Sequence, residues 1–264
     1  MLGDSATLTI PLPRADIDHM QRGLYIAATG MLSDVARQDA IAANLANVNT
    51  VGYKADRVVN ETFSELFLQN MKNGRDIGPL NLGTRVSGIV TDFAQGAMRA
   101  TQQPLDVAIA GDGFFTVQTP QGLRYTRDGQ FSRDAQGYLV TKSGAPVLNT
   151  GGQPIYIGSG DPTIDGYGRV FANGTLVGAL NIATLDMNSA RKMGENFWTA
   201  DAVTNGLPAN SALRQGFVEA SGVNSVKEMV EMIRTLRSYE SSQRIITSID
   251  GTLDKAVNSV GVVS

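Results

Sequence analysis

Met232, Tyr239, Ile246, Leu253 and Val260 fall at every seventh position near the end of the chain. Leu236 and Val257 add intermediate positions to this stripe, while Gln243 and Asp250 interrupt it. A sustained heptad predicts a helix from Ser225 to about Val260 with one narrow apolar seam, the pattern that packs against another long helix. Ser225 and Glu228 have capping-box spacing, so the start is also written locally. A helix of that length is roughly 50 Å long, longer than a compact domain of this size needs. The seam therefore asks for a partner. Ile246 and Leu253 lie in its centre, and Ser242 reads as a surface position beside it.

A second narrow seam lies near the other end. Leu24, Ala28, Met31, Val35, Ala42 and Leu45 follow a four–three spacing, with Gln38 at the one polar position. Its alanines let a partner helix approach closely. Gly30 weakens an isolated helix by about 1 kcal/mol relative to Ala, so packing must supply the stability. Asn49 and Gly52 predict a stop near Asn47–Thr50.

Between the helices the period changes. Phe63, Leu66, Phe67 and Met71 have the spacing of a short helix over Thr62–Met71, the Gly-containing run at 73–86 reads as loop, and 86–98 has strand-like pieces. From Asp106 to Ser221 the pattern is β: Val107, Ile109, Phe115 and Val117 alternate, with turns at 119–122 and 134–137. Asn173-Gly174 between two apolar pairs is a tight-hairpin signal. The expected fold class is α+β, with the terminal helices paired in a coiled-coil-like domain and a mainly antiparallel all-β middle domain. The expected divisions are an arm at 1–19, a helical domain of 20–55 with 222–264, an extended connection over 56–105, and the β domain 106–221.

Composition narrows the functional classes. The chain has 264 residues, 42% hydrophobic, 18% charged, with net charge −3. That balance gives no general attraction to nucleic acid or anionic lipid. The lack of cysteine excludes disulfides, thiol catalysis and thiolate metal sites. No run reaches the roughly 20 apolar residues of a membrane span. The start lacks a basic leader and has Asp4, Pro11 and Pro13 early, so no cleavable signal is expected. The stretch before Met20 reads as a disordered arm or as a start placed too early.

Candidate chemistry is sparse. His19 is the only histidine and has no partner set nearby. Asp161 and Asp165 lack the alternating ligands and terminal Glu of a calcium loop and read as turn residues. Gly111-Asp112-Gly113 lacks the third glycine and following helix of a phosphate cradle, so a bulge or turn is expected. Arg124, Arg127 and Arg133 near Tyr125 and Phe131 fit a contact with sugar or nucleic acid and, equally well, a solvated sheet face, and the acidic net charge argues against nucleic acid. The expectation is no enzyme, no cofactor, no metal and no small-molecule substrate.

Several motifs resemble one known family. The run Asn44–Lys54, with Asn44, Leu45, Ala46, Asn47 and Gly52, is similar to the N-terminal signature of bacterial flagellar rod and hook proteins. Pro104–Phe115, with Asp106, Gly111, Gly113, Phe114 and Phe115, resembles a β-domain motif of that family. So does Tyr125–Phe131, with Tyr125, Thr126, Arg127, Gly129 and Phe131. Gly194–Trp198 and Gln215–Glu240 match as well, and the resemblance covers nearly everything from Met20 to Gly261. Within the family, the short middle, the run Gly144–Ile155 and the ending with Asn258 and Gly261 look most like the proximal rod type. The distal rod type shares most motifs.

The resemblance implies a structural subunit. Family members pair their terminal helices and stack helically into the periplasmic drive shaft of the flagellum, exported through the flagellar type III apparatus without a cleaved signal. The implied partners are other copies of the chain, neighbouring rod or hook axial proteins, and the export apparatus, with no nucleic acid and no membrane insertion. The competing reading is an envelope module that binds peptidoglycan or another glycan. It requires exposed aromatics clustered on one face of the β domain, and Trp198 is the only tryptophan.

Overall fold

Residues 14–62, 66–69, 76–80, 83–194 and 196–260 are described by a computed structural model of the chain. Two long helices, α1 (Arg14–Ala46) and α2 (Ser225–Val260), flank nineteen described strands. This is the α+β class with a β-rich middle. The helical backbone begins at Arg14, six residues ahead of Met20, so 14–19 belong to α1 rather than to an arm. Residues 1–13 lie outside the described residues, as does the side chain of His19.

α1 ends where the sequence stops it. Asn47 N–H and Val48 N–H donate to the carbonyls of Asn44 and Leu45 at 3.0 and 3.3 Å, tightening the last turn. Gly52 then takes a φ of 66°, open to glycine at little cost. α2 carries Glu228 in its first turn, where a negative charge meets the positive end of the helix dipole.

The chain divides into two compact units. The first holds 1–43, 56–90 and 226–264. It contains most of both helices and two two-stranded sheets. Asp56–Thr62 pairs with Thr84–Thr91, and Leu66–Gln69 pairs antiparallel with Asp76–Leu80, Leu66 opposite Leu80. Two expectations are corrected here. The described part of Thr62–Met71 is strand, not helix, and the presumed loop after it contains the strand Asp76–Leu80. A short apolar run fits either period, and the nearby pairing partner decided for strand. The start of the strand Thr84–Thr91 meets α1 at Gly83, whose absent Cβ would lie 2.5 Å from Thr29 Oγ1 and 3.7 Å from Ile26 Cα.

The second unit holds 44–55 and 91–225. Its largest sheet has six strands, in the order Arg191–Lys192, Phe197–Thr199, Gly122–Thr126, Phe114–Thr119, Ile182–Leu185 and Val203–Asn205. All five of its neighbouring pairs are antiparallel. Alternation on Phe114–Thr119 feeds two cores, since successive side chains point to opposite faces. Phe115 and Val117 join Val107, Ile109, Leu139 and Ile182. Phe114 joins Tyr125, Leu185 and Trp198 on the other side. Each such side chain, fully buried, contributes roughly 1.5–3 kcal/mol. Asn173 and Gly174, at φ 50° and 77°, close the hairpin between Arg169–Ala172 and Thr175–Ala179 as a two-residue turn.

Candidate functional site: a buried ionic junction and an exposed helical face

Three of the sequence motifs meet inside the second unit. Lys54, at the end of the first motif, places Nζ 2.6 Å from Glu219 Oε1. Arg127, from the second β motif, donates Nη1–H to the other carboxylate oxygen at 3.2 Å. Side-chain exposure is 1% for Lys54 and Glu219 and 4% for Arg127, so the charges are out of water. The remaining bonds are nearly complete. Lys54 Nζ also donates to Ala94 O, and Glu219 Oε1 also accepts from Gly96 N–H. Arg127 Nη2 donates to Gly111 O, and its guanidinium lies 5.1 Å from the centre of the Phe114 ring. Among the described residues, Arg127 Nε has no hydrogen-bond partner.

The electrostatics follow from this arrangement. Burial is the largest influence on Lys54 and pulls its pKa below the usual lysine value, against the opposing pull of Glu219. Arg127 is lowered for the same first cause, with Glu219 and Asp112 opposing. Breaking such a pair is costly because it strands a buried charge.

Two glycines of the motifs permit this approach. A Cβ at Gly52 would lie 2.5 Å from the carbonyl carbon of Arg127, and Gly52 N–H donates to Glu219 O at 2.8 Å. A Cβ at Gly129 would collide with the carbonyl oxygen of Val107, whose amide in turn donates to Gly129 O at 2.9 Å. The other motif residues are structural too. Asn44 is buried and accepts from Tyr53 OH, and Asn47 Oδ1 accepts from Thr50. Leu45 is half-buried and Ala46 exposed. Asp106 is buried and its carbonyl accepts from Gly216 N–H. Gly113 stands in the turn before Phe114, its absent Cβ 2.5 Å from Ile182. Thr126 Oγ1 bridges Asn196 O and Asp128 N–H, and Phe131 meets the Phe115 ring edge-on at 5.0 Å.

The arginine expectation needs correction. Arg127 is buried, whereas Arg133 is exposed, so the three do not share a solvated face. The turn expectation holds for Asp165: its Oδ1 accepts from the amides of Tyr167 and Arg169, as a turn aspartate does. A glycan-binding β domain is not supported. Trp198 is 1% exposed, enclosed by Phe93 and Phe114, and has no face to offer a sugar. Lys54 and Glu219 were not singled out from the sequence. Glu219 is nevertheless a carboxylate inside an apolar strand, Phe217–Glu219, which signals a buried partner.

In the first unit, Met232, Tyr239, Ile246 and Leu253 are half-buried on α2, and Leu236 is exposed. Val260 lies in α2, its side chain outside the described residues. A second set at seven-residue spacing, Glu228, Thr235, Ser242 and Ile249, is also withdrawn from solvent, with Thr235 buried. Ser242 is thus on the covered face, not the surface. On α1, Ala27, Asp34 and Ile41 are buried, Leu24 and Met31 half-buried, and Val35 exposed. A Cβ at Gly23 would stand 3.4 Å from Ile249 Cδ1, and one at Gly30 would stand 4.0 Å from Ser242 Oγ. Facing away from these contacts, Tyr25, Leu32, Val226, Met229, Val230 and Ile233 are exposed apolar side chains.

Comparison with known proteins gives three family matches along the chain. Residues 24–54 match the family described as flagella basal body rod protein. Residues 108–177 match the flagellar hook protein FlgE/F/G D1 domain. Residues 214–259 match the flagellar basal body rod FlgEFG protein C-terminal family. Among similar proteins, the flagellar basal-body rod protein FlgF of Mesorhizobium japonicum is 33% identical, over 92% of this chain and 99% of its own length. The flagellar basal-body rod protein FlgG of Buchnera aphidicola (from Acyrthosiphon pisum) is 36% identical, over 88% and 97%. The flagellar hook-basal body complex protein FlhO of Bacillus subtilis is 30% identical, over 92% and 100%.

Proposed function

The chain belongs to the flagellar basal-body rod protein family, and from that premise we propose that its terminal helices pair as an antiparallel coiled coil which builds the rod. As a member of the family it is a structural subunit of the basal body and not an enzyme. The observation that carries the pairing is its register. Gly23 faces Ile249 and Gly30 faces Ser242, so both pairs of numbers sum to 272, as antiparallel helices require. Small residues on α1 let α2 approach, and the heptad keeps one face of α2 toward it.

In this reading the mechanism is mechanical. Many copies stack, and torque passes through repeated helix contacts. A head-to-tail contact that does not close into a ring gives such a filament. Within the second unit, the Lys54–Glu219–Arg127 junction ties residues 44–55 to the strand Phe217–Glu219 and to the β sheet. Partners are then further copies and neighbouring axial proteins. Export uses the flagellar type III apparatus, a route suited by a chain without cysteine, since no disulfide must form. Among the described residues no helix is long and apolar enough to cross a membrane. The proximal part of the rod is the favoured position, on the strength of the short middle and the Gly144–Ile155 run.

The test is a deletion strain complemented with an epitope-tagged chain. The tag should appear in purified basal bodies, on the rod nearer the motor when located by electron microscopy. Normal swimming of the deletion strain, or basal bodies that lack the tag while motility is restored, would overturn the proposal.

A further inference from the structure

Arg124 stands where the larger core of the second unit opens to solvent. It lies opposite Val117 in the hairpin of Phe114–Thr119 and Gly122–Thr126, and opposed residues share a face of the sheet. Val117 is fully buried in the larger core, so that face is the core face. Arg124 extends it, half-buried, in a groove of about 840 Å³ walled by Pro120, Ala145, Pro146, Met193 and Phe197. Phe197 belongs to the core, whereas Met193 is exposed. Among the described residues the Arg124 guanidinium donates to the carbonyl of Leu123 at 2.8 Å and meets no carboxylate. Arg127, three positions on, is answered by Glu219. The groove thus has apolar walls around one cation that its own unit does not neutralise.

The beginning of the sequence carries the complementary pattern. In residues 1–13 the even positions are Leu2, Asp4, Ala6, Leu8, Ile10 and Leu12, while Gly3, Ser5, Thr7 and Thr9 stand at odd ones. Successive side chains of an extended segment point to opposite faces. Extended, these residues therefore put one carboxylate and a row of apolar side chains on a single face. No Lys or Arg precedes Arg14, so no basic side chain within the segment competes for Asp4.

Resting on the rod-subunit reading above, in which many copies lie side by side, we propose that residues 1–13 of a second copy seat in this groove as an extended segment. The Asp4 carboxylate meets the Arg124 guanidinium, and the apolar side chains of the same face pack on Met193, Phe197 and the two prolines. Charge selects this occupant first: the groove offers one unanswered cation, and the segment offers one carboxylate. A guanidinium holds a carboxylate through two parallel hydrogen bonds, which fixes direction as well as sign. Alternation selects it second, because extended peptides gain specificity by placing alternate side chains in pockets. Gln121 and Ser143, both exposed at the rim, offer hydrogen bonds to the backbone of such a segment. Reach is sufficient as well. Asp4 lies ten residues ahead of Arg14, a leash of up to about 35 Å.

The first measurement uses purified full-length chain and a fluorescein-labelled peptide of residues 1–13. The chain carries Asp4→Ala, so that its own segment competes weakly. Anisotropy should show saturable binding. Arg124→Glu in the chain, or Asp4→Lys in the peptide, should weaken it at least about tenfold, since either sets like charges together. The Asp4→Lys peptide should regain binding on the Arg124→Glu chain. No saturable binding, or equal binding to the Arg124→Glu chain, overturns the proposal. Should Arg124→Glu fail to fold, equal binding of the unaltered and Asp4→Lys peptides to the unaltered groove overturns it.

The second measurement identifies the copy. The chain has no cysteine, so Ala6→Cys and Met193→Cys placed in one chain are its only thiols. In isolated basal bodies a short bismaleimide should link them between chains, giving dimers and longer products on a denaturing gel. Linkage within single chains, or none, overturns the second copy as occupant and leaves the rod-subunit reading intact. If the double-cysteine chain is not incorporated, the peptide measurement decides. Absence of the unaltered chain from basal bodies overturns both readings.

Discussion

Lys54 Nζ and Glu219 Oε1 are 2.6 Å apart although they stand 165 positions apart in the chain. The pair joins the segment after α1 to the strand that leads into α2, and Arg127 completes it from the β sheet. One carboxylate thus answers two cations, so the three residues are not equivalent. Glu219→Gln should leave Lys54 and Arg127 facing each other without the carboxylate that bonds to both. Loss of one partner of a buried pair costs about 3–5 kcal/mol, and Glu219→Gln should reach that range. Lys54→Met should cost less, since Arg127 still holds Glu219. Urea unfolding of the two variants ranks them; a larger loss for Lys54→Met would show that Arg127 does not support the carboxylate.

The same site has a pH signature. The pKa of Lys54 is lower in the folded chain than in the unfolded one, chiefly through burial. Below the folded value both states carry the proton, and the cost of burying the charge is present in full. Above it the folded state releases the proton while the unfolded state keeps it, up to about 10.4. Stability therefore rises with pH across that window wherever the unfolded state binds more protons. The wild-type chain should gain on Lys54→Met as the pH is raised through the alkaline range toward that value. A flat difference between the two melting curves would remove the burial account.

Gly52→Ala should fail for two reasons that add. A φ of 66° costs a non-glycine residue about 1–3 kcal/mol, and the new Cβ meets the Arg127 backbone at 2.5 Å. The loss in thermal unfolding should exceed that of Gly122→Ala, where φ is 109° but nothing stands within 4 Å. Equal losses would leave backbone conformation alone as the cause.

Much of this architecture was legible because periodicity and turn chemistry are local. The heptad of α2, the stop after α1 and the Asn173-Gly174 hairpin each need only a few neighbouring residues to be read. The strand Leu66–Gln69 was not legible, because it becomes strand only by pairing with Asp76–Leu80. The ionic junction was hidden for a similar reason: Arg127 looks like any sheet arginine until Glu219 arrives from far along the chain. Ser242 was misplaced because a heptad has two sets of inward positions, and the polar one carries no apolar signal. Thr235, Ser242 and Ile249 form that second set.

In the free monomer the helices should be the less protected part. Isolated helices depend on packing for stability, and the exposed apolar side chains of α1 and α2 remain in water. The strands Val107–Ala110 and Phe114–Thr119 lie within the larger core. Amide exchange on monomer should be fast over 24–43 and 226–255 and slow over 107–110 and 114–119. Equal protection throughout would mean that the helices are self-sufficient without assembly.

The covered face of α2 gives the last prediction. Ile246 is half-buried there, and Ser242, one turn earlier, stands 4.0 Å from the Cβ that Gly30 lacks. A carboxylate at either position must be buried without a partner or push the helices apart. Burial of an uncompensated charge costs several kcal/mol even after relaxation, and in a filament the cost recurs at every copy. The large strands belong to the other unit, so their melting should not move. Ile246→Asp and Ser242→Asp should therefore both yield soluble protein whose β unit melts as in wild type, with chain missing from purified basal bodies and motility lost. Ser241→Asp is the control: Ser241 is exposed, its neighbours in sequence are unchanged, and a charge there stays in water. Those cells should swim. If Ser242→Asp cells also assemble complete rods, the face opposite Gly30 tolerates charge and the antiparallel pairing is wrong. If Ser241→Asp stops assembly as well, the outer side of α2 at that turn is itself a contact between copies.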